Sequence, residues 1–152
     1  KDNLEQRLYL WRKANQKIVF TNGCFDLLHL GHVDYLAKAK DLGDRLIVGI
    51  NSDSSVRRLK GSHRPLQDEN SRLHIIAALA SVDAVILFDE DTPYELIKKV
   101  QPDILVKGAD YKPQDIVGYD IVSLKGGEVK TIEFVEGYST TAIENRILAS
   151  RK

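Results

Sequence analysis

The sequence lacks several features that mark familiar functional classes. Cys24 is the only cysteine in 152 residues, which excludes an intramolecular disulfide and is typical of a reducing compartment. Lysine and arginine total 22, and so do aspartate and glutamate, so the net charge gives no reason to expect nucleic acid or a membrane surface as partner. The longest apolar stretch, residues 75–88, is interrupted by Ser81 and Asp83 and is too short to span a bilayer. We therefore expect a cytoplasmic protein with no membrane or nucleic-acid partner.

Two common nucleotide-binding signatures are also missing. No G-x-G-x-x-G fingerprint is present, which argues against a nicotinamide or flavin oxidoreductase. The absence of a Walker A motif argues against a P-loop kinase. The sequence has no repeat, low-complexity tract or linker, so we expect residues 1–152 to form a single domain with a lead-in helix within residues 1–15.

Strand-like and helical patterns alternate along the chain. Apolar runs rich in β-branched residues predict strands at residues 17–21, 45–50, 84–88, 104–106 and 128–132. Helical spacing and end signals predict helices at residues 2–15, 33–42, 69–81, 93–100, 118–125 and 139–150. This alternation predicts an α/β fold with a Rossmann-like, doubly wound, five-stranded parallel sheet and helices on both faces. In such a sheet, ligands bind beyond the carboxyl ends of the strands.

Two histidines follow the first predicted strand in the sequence His29-Leu30-Gly31-His32. Residues three apart share one face of a helix, and the free N–H groups of a helix N-terminus attract an anion. Gly31 leaves room for a phosphate to approach. The pattern therefore predicts a polyphosphate clamp formed by His29 and His32. Two ordinary surface histidines are one alternative, and a zinc site is another, although few residues are available to complete its ligand shell.

A second candidate phosphate site lies near the end of the chain. Ser139, Thr140 and Thr141 open the last predicted helix, just after Gly137. Hydroxyl groups and free N–H groups at a helix start match a cradle for the β- and γ-phosphates of a nucleotide. Simple N-capping by Ser139 is the alternative, and the two roles are compatible.

These two motifs carry a resemblance to a known family. The run from Thr21 to His32 resembles the signature of the cytidylyltransferase-like superfamily of nucleotidyltransferases, and residues 136–143 look like its second nucleotide-binding motif. The likeness extends from Lys17 to Ile147. Within it, residues 106–113, 126–129 and 134–143 closely resemble the adenylyltransferase domain of the ADP-heptose synthase family.

The resemblance implies an adenylyltransferase that joins AMP from ATP to D-glycero-β-D-manno-heptose 1-phosphate. The products are pyrophosphate and ADP-heptose for lipopolysaccharide cores. It also implies Mg²⁺ bound through the nucleotide phosphates, a homodimer or higher homo-oligomer, and a separate sugar kinase in the same pathway. The chain is then either a stand-alone protein or the excised part of a kinase fusion. A glycerol-3-phosphate-type cytidylyltransferase and a non-catalytic nucleotide sensor are the alternatives.

Nucleotidyl transfer requires positioning and charge neutralisation, not a covalent intermediate with the protein. We predict catalytic roles for His29, His32 and Lys60. Lys60 lies on a basic loop that also carries Arg64 and could close over the triphosphate, and a solvated basic stretch is the alternative. The residues that we expect to bind the nucleotide are Thr21, Asn22, Gly23, Cys24, Phe25, Gly31, Arg72, Lys107, Ser139, Thr140 and Thr141. Those that we expect to contact the sugar substrate or to support the site are Asp26, Asp53, Gly108 and Asp110.

The sequence departs from the related glycerol-3-phosphate cytidylyltransferases at two positions. These enzymes usually carry basic residues where this chain has Phe134 and Glu144. The departure weakens the cytidylyltransferase alternative. It also leaves Arg146 as the expected source of positive charge on the last helix.

Overall fold

The computed structural model describes residues 2–151, which form a five-stranded parallel sheet. The strands are β1 (Ile18–Gly23), β2 (Arg45–Asn51), β3 (Ala84–Phe88), β4 (Ile104–Gly108) and β5 (Glu128–Ile132). Their order is β3-β2-β1-β4-β5, so the chain winds outward from β1 first on one side and then on the other. The predicted doubly wound parallel sheet is confirmed. Lys1 and Lys152, which belong to the predicted domain, lie outside the described residues.

Helices connect the strands, and the six predicted helices are present with ends that differ by a few residues. The helices are α1 (Asp2–Lys13), α2 (Leu30–Lys40), α3 (Asp53–Lys60), α4 (Glu69–Ala77), α5 (Tyr94–Val100), α6 (Tyr119–Leu124) and α7 (Thr140–Ala149), with a short 3₁₀ helix at Pro113–Asp115. Among residues 2–151, no helix combines the length and the apolar character needed to cross a membrane.

Helix α3 was not expected from the sequence, which predicts a loop in this region. Ser52 caps the helix by accepting a hydrogen bond from the backbone N–H of Ser55, and Val56 is fully buried. The helix ends at Gly61, whose φ of 104° suits glycine. Only Val56 and Leu59 among its eight residues are apolar, so the segment is short and strongly polar and reads as a loop in the sequence. As a result, Lys60 is held at the end of a helix.

The two faces of the sheet bury separate apolar layers, because consecutive strand residues point to opposite faces. On the face covered by α2 and α4, the buried residues include Val19, Leu36, Leu46, Val48 and Ile76. On the face covered by α1, α5 and α6, they include Leu8, Trp11, Ile18, Phe20, Ile97 and Val122. The prediction of helices on both faces is confirmed, and α1 is part of the second layer.

The central strand β1 pairs with both β2 and β4, and the order of the strands reverses here. The loop after β1 turns sharply into α2. Phe25 and Leu27 adopt φ angles of 51° and 56° there, a left-handed conformation that side-chain-bearing residues rarely occupy. This loop and the loop after β4 therefore leave a crevice between them at the carboxyl edge of the sheet.

Candidate active site

A cavity of about 560 Å³ lies in this crevice. The predicted site residues that line it are Asn22, Gly23, Cys24, Phe25, Asp26, His29, Gly31, His32, Lys60, Lys107, Gly108, Asp110, Ser139, Thr140 and Thr141. A second cavity of about 360 Å³ adjoins it. The residues common to both are Asn22, Gly23, Cys24, Lys60, Lys107 and Tyr111. The structure thus brings residues from both motifs into one space.

His29 and His32 form a stacked pair at the start of α2. Their ring centroids are 3.8 Å apart, and the ring planes differ by 26°. The Nδ1 atom of His29 accepts a hydrogen bond from the backbone N–H of Gly31 at 3.0 Å, and Nδ1 of His32 accepts one from the backbone N–H of His29 at 3.3 Å. Because both Nδ1 atoms act as acceptors, each neutral ring carries its proton on Nε2. The pair therefore offers two Nε2–H donors.

Burial keeps these rings neutral. Burial, together with the neighbouring His29, lowers the pKa of His32 to about 4, although Asp26 opposes the shift. Burial also lowers the pKa of His29. At neutral pH the two rings are therefore hydrogen-bond donors without a positive charge. Among residues 2–151, no group of three or more His, Cys, Asp or Glu side chains is placed to hold a metal ion, so the geometry does not favour the zinc alternative.

Gly31 lines the cavity, and it also has a steric role that the sequence does not reveal. A Cβ atom on Gly31 would lie 2.8 Å from Cε1 and 2.9 Å from Nδ1 of His29. Real Cβ atoms do not approach other atoms this closely. Glycine is therefore needed here to make room for the imidazole of His29 over the first turn of α2.

Asp26 ties the loop after β1 to two other segments. Its carboxylate accepts hydrogen bonds from the backbone N–H groups of Leu66 at 2.8 Å and Gln67 at 2.9 Å. Its backbone carbonyl accepts one from the hydroxyl of Thr140 at the start of α7. Both carboxylate oxygens are thus used in holding the loop before α4. Asp26 therefore has a structural role, and it also lines the cavity, where its charge acts to raise the pKa of His32 against the effect of burial. The expected role of its carboxylate in the site stays a prediction.

Arg72 and Asp53 lie outside both cavities. Nη1 of Arg72 donates to the carbonyl oxygens of Cys24 and Asn51, both at 2.8 Å, and Nε donates to that of Gln67 at 2.9 Å. Nη2 contacts the carboxylate of Asp53 at 2.8 Å. The guanidinium is completely buried and ties the ends of β1 and β2 together. The predicted phosphate role of Arg72 and the predicted sugar role of Asp53 are therefore wrong, because protein groups already use their charges.

Thr21, which we expected to bind the nucleotide, has a structural role instead. Its hydroxyl donates to the carbonyl of Val106 at 3.0 Å and is hydrogen-bonded to the hydroxyl of Tyr35 at 2.8 Å. The residue is completely buried beneath the cavity floor. Thr21 therefore joins β1 to β4 and holds Tyr35 in place, and it does not contact the cavity.

Two lysines border both cavities, one at the end of α3 and one at the end of β4. Lys60 is exposed, whereas Lys107 is partly buried. Burial lowers the pKa of Lys107, and the nearby Cys24 and Asp110 act in the opposite direction. Burial raises the pKa of the Cys24 thiol, so the residue is a neutral thiol, consistent with a packing role. The junction between the cavities is therefore the place where two cationic side chains meet.

The larger cavity includes residues that the sequence did not identify as site residues. They are Tyr35, Tyr111, Phe134 and Tyr138. Arg64, which the sequence placed with Lys60 on the basic loop, also lines this cavity. Tyr35 follows His32 by three residues, and this helical spacing is a signal that identifies it. Phe134 packs against the backbone of Gly108, where a Cβ atom would lie 2.2 Å from its ring.

Two further residues that the sequence assigned to the site are Ser139, at the start of α7, and Arg146, within that helix. The hydroxyl of Ser139 accepts a hydrogen bond from the backbone N–H of Ala142 at 3.0 Å, as N-capping predicts. Arg146 is exposed and lies outside the cavity lining. The expectation that Arg146 supplies charge to the site is therefore wrong. The cavity instead receives Arg64, which pairs with Glu144.

The structure combines this strand order with a histidine pair that lies beside a Ser-Thr-Thr helix start. These features define a nucleotidyltransferase-type α/β protein. A family model described as Cytidylyltransferase-like matches residues 20–146. The chain belongs to the cytidylyltransferase-like family.

Two curated proteins and one solved structure are similar to this chain over most of its length. The bifunctional protein HldE of Syntrophotalea carbinolica is 56% identical over 148 residues, which cover 97% of this chain and 30% of that protein. HldE of Nitratiruptor sp. is 62% identical over 135 residues, covering 89% of this chain and 28% of that protein. The chain thus spans less than a third of the length of these curated relatives. The crystal structure of the lipopolysaccharide core biosynthesis protein from Thermoplasma volcanium shares 37% identity with a TM-score of 0.65, and the match covers 82% of this chain and 99% of that one.

Proposed function

We propose that the chain is an adenylyltransferase that joins AMP from ATP to a heptose 1-phosphate and forms ADP-heptose for lipopolysaccharide cores. The observation that carries the proposal is the convergence of two Nε2–H donors and the start of α7 on one cavity, beside a second cavity that shares two lysines. The resemblance of residues 17–147 to the ADP-heptose synthase family and the identity with HldE support this substrate pair. The name of the Thermoplasma relative supports the same pathway.

In the proposed reaction, a phosphate oxygen of the sugar phosphate attacks the α-phosphorus of ATP. The new P–O bond forms as the bond from the α-phosphorus to the bridging oxygen breaks, and pyrophosphate leaves with that electron pair. The protein contributes position and charge neutralisation, since no covalent intermediate forms on it.

We assign ATP to the larger cavity. Its volume of about 560 Å³ lies within the range of small-molecule sites. The histidine Nε2–H groups donate to the phosphoryl oxygens, where negative charge grows in the transition state. Thr140 and Thr141 at the start of α7 face the β- and γ-phosphates. Asp110 borders only this cavity, so we assign its carboxylate to the ribose hydroxyls and not to the second sugar.

We assign the heptose 1-phosphate to the smaller cavity. Thr92 and Asp115 supply polar side chains there that suit sugar hydroxyls. Lys60 and Lys107 border both cavities, so they can neutralise the attacking phosphate and the α-phosphate at their meeting point. This division places the two reacting groups beside each other.

Mg²⁺ is expected to enter with the nucleotide. Residues 2–151 offer no cluster of three or more side chains suited to a metal, and Asp26 uses both carboxylate oxygens on backbone N–H groups. The donor set therefore fits an ion held mainly by the phosphates of ATP. When bound, Mg²⁺ would neutralise part of the negative charge of the ATP phosphates.

A substrate panel tests the proposal. Pyrophosphate release is measured with each of ATP, CTP, GTP and UTP, combined with heptose 1-phosphate or with glycerol 3-phosphate. The expected result is fastest release with ATP and heptose 1-phosphate. Preference for CTP with glycerol 3-phosphate would replace the proposal with the cytidylyltransferase alternative. Nucleotide binding without release for any pair would favour a sensor.

We further propose a homodimer or higher oligomer and a separate sugar kinase that supplies the phosphorylated sugar, as the family resemblance implies. The cytoplasm is the expected compartment, consistent with the single cysteine. Light scattering on the purified chain tests the oligomer, because a mass equal to one chain would exclude it.

A further inference from the structure

Arg64 is a buried arginine on the wall of the larger cavity. Its residue surface is only 9% exposed, although it lies in the loop between α3 and α4. Nη2 of Arg64 lies 2.6 Å from Oε1 of Glu144 on α7. The pair therefore connects the loop that follows Lys60 to the helix that carries the Ser-Thr-Thr motif.

Glu144 holds Arg64 on the cavity side of α7. Glu144 follows Thr140 by four residues, so both side chains lie on the same face of the helix. Thr140 lines the cavity, and the side chain of Glu144 is 26% exposed. A carboxylate one turn from a phosphate cradle would repel the phosphates if it were alone. The Arg64 guanidinium cancels that charge.

The hydrogen-bonding capacity of Arg64 is not used up by this contact. A guanidinium has five N–H donors in a rigid plane. Nε of Arg64 is buried and has no hydrogen-bond partner within residues 2–151. That atom has almost no accessible surface, so a ligand cannot reach it directly. The side-chain hydrogen bond that Arg64 makes within residues 2–151 uses Nη2, so the Nη1 donors remain available to a ligand oxygen in the cavity.

We infer that Arg64, oriented by Glu144, binds the β- and γ-phosphates of the nucleoside triphosphate. The inference rests on the proposed nucleotide site. It assigns to Arg64 the recognition of the terminal phosphates, and thus the discrimination of a triphosphate from a monophosphate. The guanidinium of Arg64 offers both a positive charge and a planar set of donors. A lysine at the same position offers only the charge without the planar geometry.

The test compares the binding of ATP with that of AMP to the full chain by calorimetry in the presence of Mg²⁺. Arg64→Gln should weaken ATP binding by about 10-fold to 100-fold, the range for loss of hydrogen bonds to a charged group. AMP binding should change by less than about 2-fold. Arg146→Gln is the matched control, because it removes the same charge from an exposed position on α7 outside the cavity. That variant should leave both affinities unchanged.

The ratio of the two affinities separates recognition from a structural role. If Arg64 only held the loop to α7, its loss would weaken ATP and AMP binding alike, and if it only neutralised Glu144, the double variant Arg64→Gln/Glu144→Gln would bind ATP as tightly as the unmodified chain. Either result would overturn the inference. An unchanged ATP affinity would overturn it as well. If Arg64→Gln does not fold, Arg64→Lys keeps the charge and should show a smaller loss that is still confined to ATP.

The outcome is distinguishable from failure of the proposed function. If the unmodified chain binds CTP in place of ATP, the proposed substrate is wrong, and the comparison of CTP with CMP still decides the role of Arg64. If the unmodified chain binds no nucleoside triphosphate, both proposals fail.

Discussion

The hydroxyl of Thr140 donates a hydrogen bond to the backbone carbonyl of Asp26, and these residues are 114 positions apart in the chain. Thr140 is the first residue of α7, and Asp26 lies in the loop that leads from β1 to the histidine pair. This contact thus joins the start of α7 to the loop that carries the histidine pair. The convergence of the two motifs depends on such contacts, because neither segment is a neighbour of the other in sequence.

Replacing Thr140 by valine removes this hydroxyl and nearly preserves the shape of the side chain. We expect Thr140→Val to lower the free energy of unfolding by about 1 kcal/mol, as for a lost hydrogen bond, and to weaken ATP binding. Urea denaturation and calorimetry measure the two effects. Thr141→Val is the control for stability, since Thr141 is exposed, and equal stability losses in both variants would contradict the role assigned to the contact.

Replacing His32 by alanine tests the histidine pair. His32→Ala removes one Nε2–H donor, and we expect turnover to fall by about 100-fold or more, as for the loss of an oxyanion donor. The circular dichroism spectrum should be unchanged, because α2 keeps His29 as its N-cap. His74→Ala is the matched control, since His74 is exposed on α4 and should leave turnover intact. Equal turnover in the His32→Ala variant and the unmodified chain would exclude the pair from the chemistry.

Acid should destabilise the protein through His32. The pKa of this residue is about 4 in the folded chain, whereas a free histidine has a pKa near 6.5. Between these values the unfolded chain binds a proton that the folded chain does not, so the free energy of unfolding falls as the pH drops from about 6.5 to 4. After allowance for the partial exposure of the ring, we expect a loss of about 1–2 kcal/mol.

The measurement is urea denaturation at several pH values in that window, without nucleotide. His32→Gln cannot take up the proton, so its stability should decline less steeply toward pH 4. His29, whose pKa burial also lowers, contributes in the same direction in both proteins. Parallel profiles for the unmodified chain and the variant would show that His32 does not cause the loss.

Arg72 should be essential to the fold. Arg72→Met leaves the carboxylate of Asp53 and the carbonyls of Cys24 and Asn51 without their buried partner. We expect the free energy of unfolding to fall by about 3–5 kcal/mol, which urea denaturation measures.

The control for Arg72 is an arginine in an exposed ion pair. Arg58 pairs with Asp91 at the surface, so Arg58→Gln should have no measurable effect on stability. A stable Arg72→Met variant with weakened ATP binding would restore the phosphate role that the sequence suggested.

Local sequence patterns were sufficient to predict the sheet and most of the residues that line the cavity. The strands are short apolar runs separated by helical patterns, and β3 and β5 have the predicted ends. Helix α3 was not predicted because it is only eight residues long and mostly polar, and the Ser52 cap and the packing of Val56 stabilise it. Residues of the two motifs line the cavity as expected, because strand ends and helix starts must meet at the carboxyl edge of a parallel sheet.

The errors concern polar and charged side chains whose partners in the fold are remote in sequence. Arg72 and Arg64 lie eight positions apart, and both are buried arginines, yet only Arg64 reaches the cavity. The residue type and its neighbours in sequence predict a cation near phosphate in both cases. They do not reveal whether carbonyls from distant strands already surround the guanidinium, as they do at Arg72.

The order of apolar and polar residues along the chain was enough to specify a doubly wound sheet and the edge where ligands bind, because strand and helix periodicities are local properties. The partners of each ionisable group were set by folding alone. Asp26 bonds to the loop before α4, and Arg64 bonds to α7. Such partners come from remote parts of the chain, and their positions depend on packing in three dimensions that no short stretch of sequence encodes.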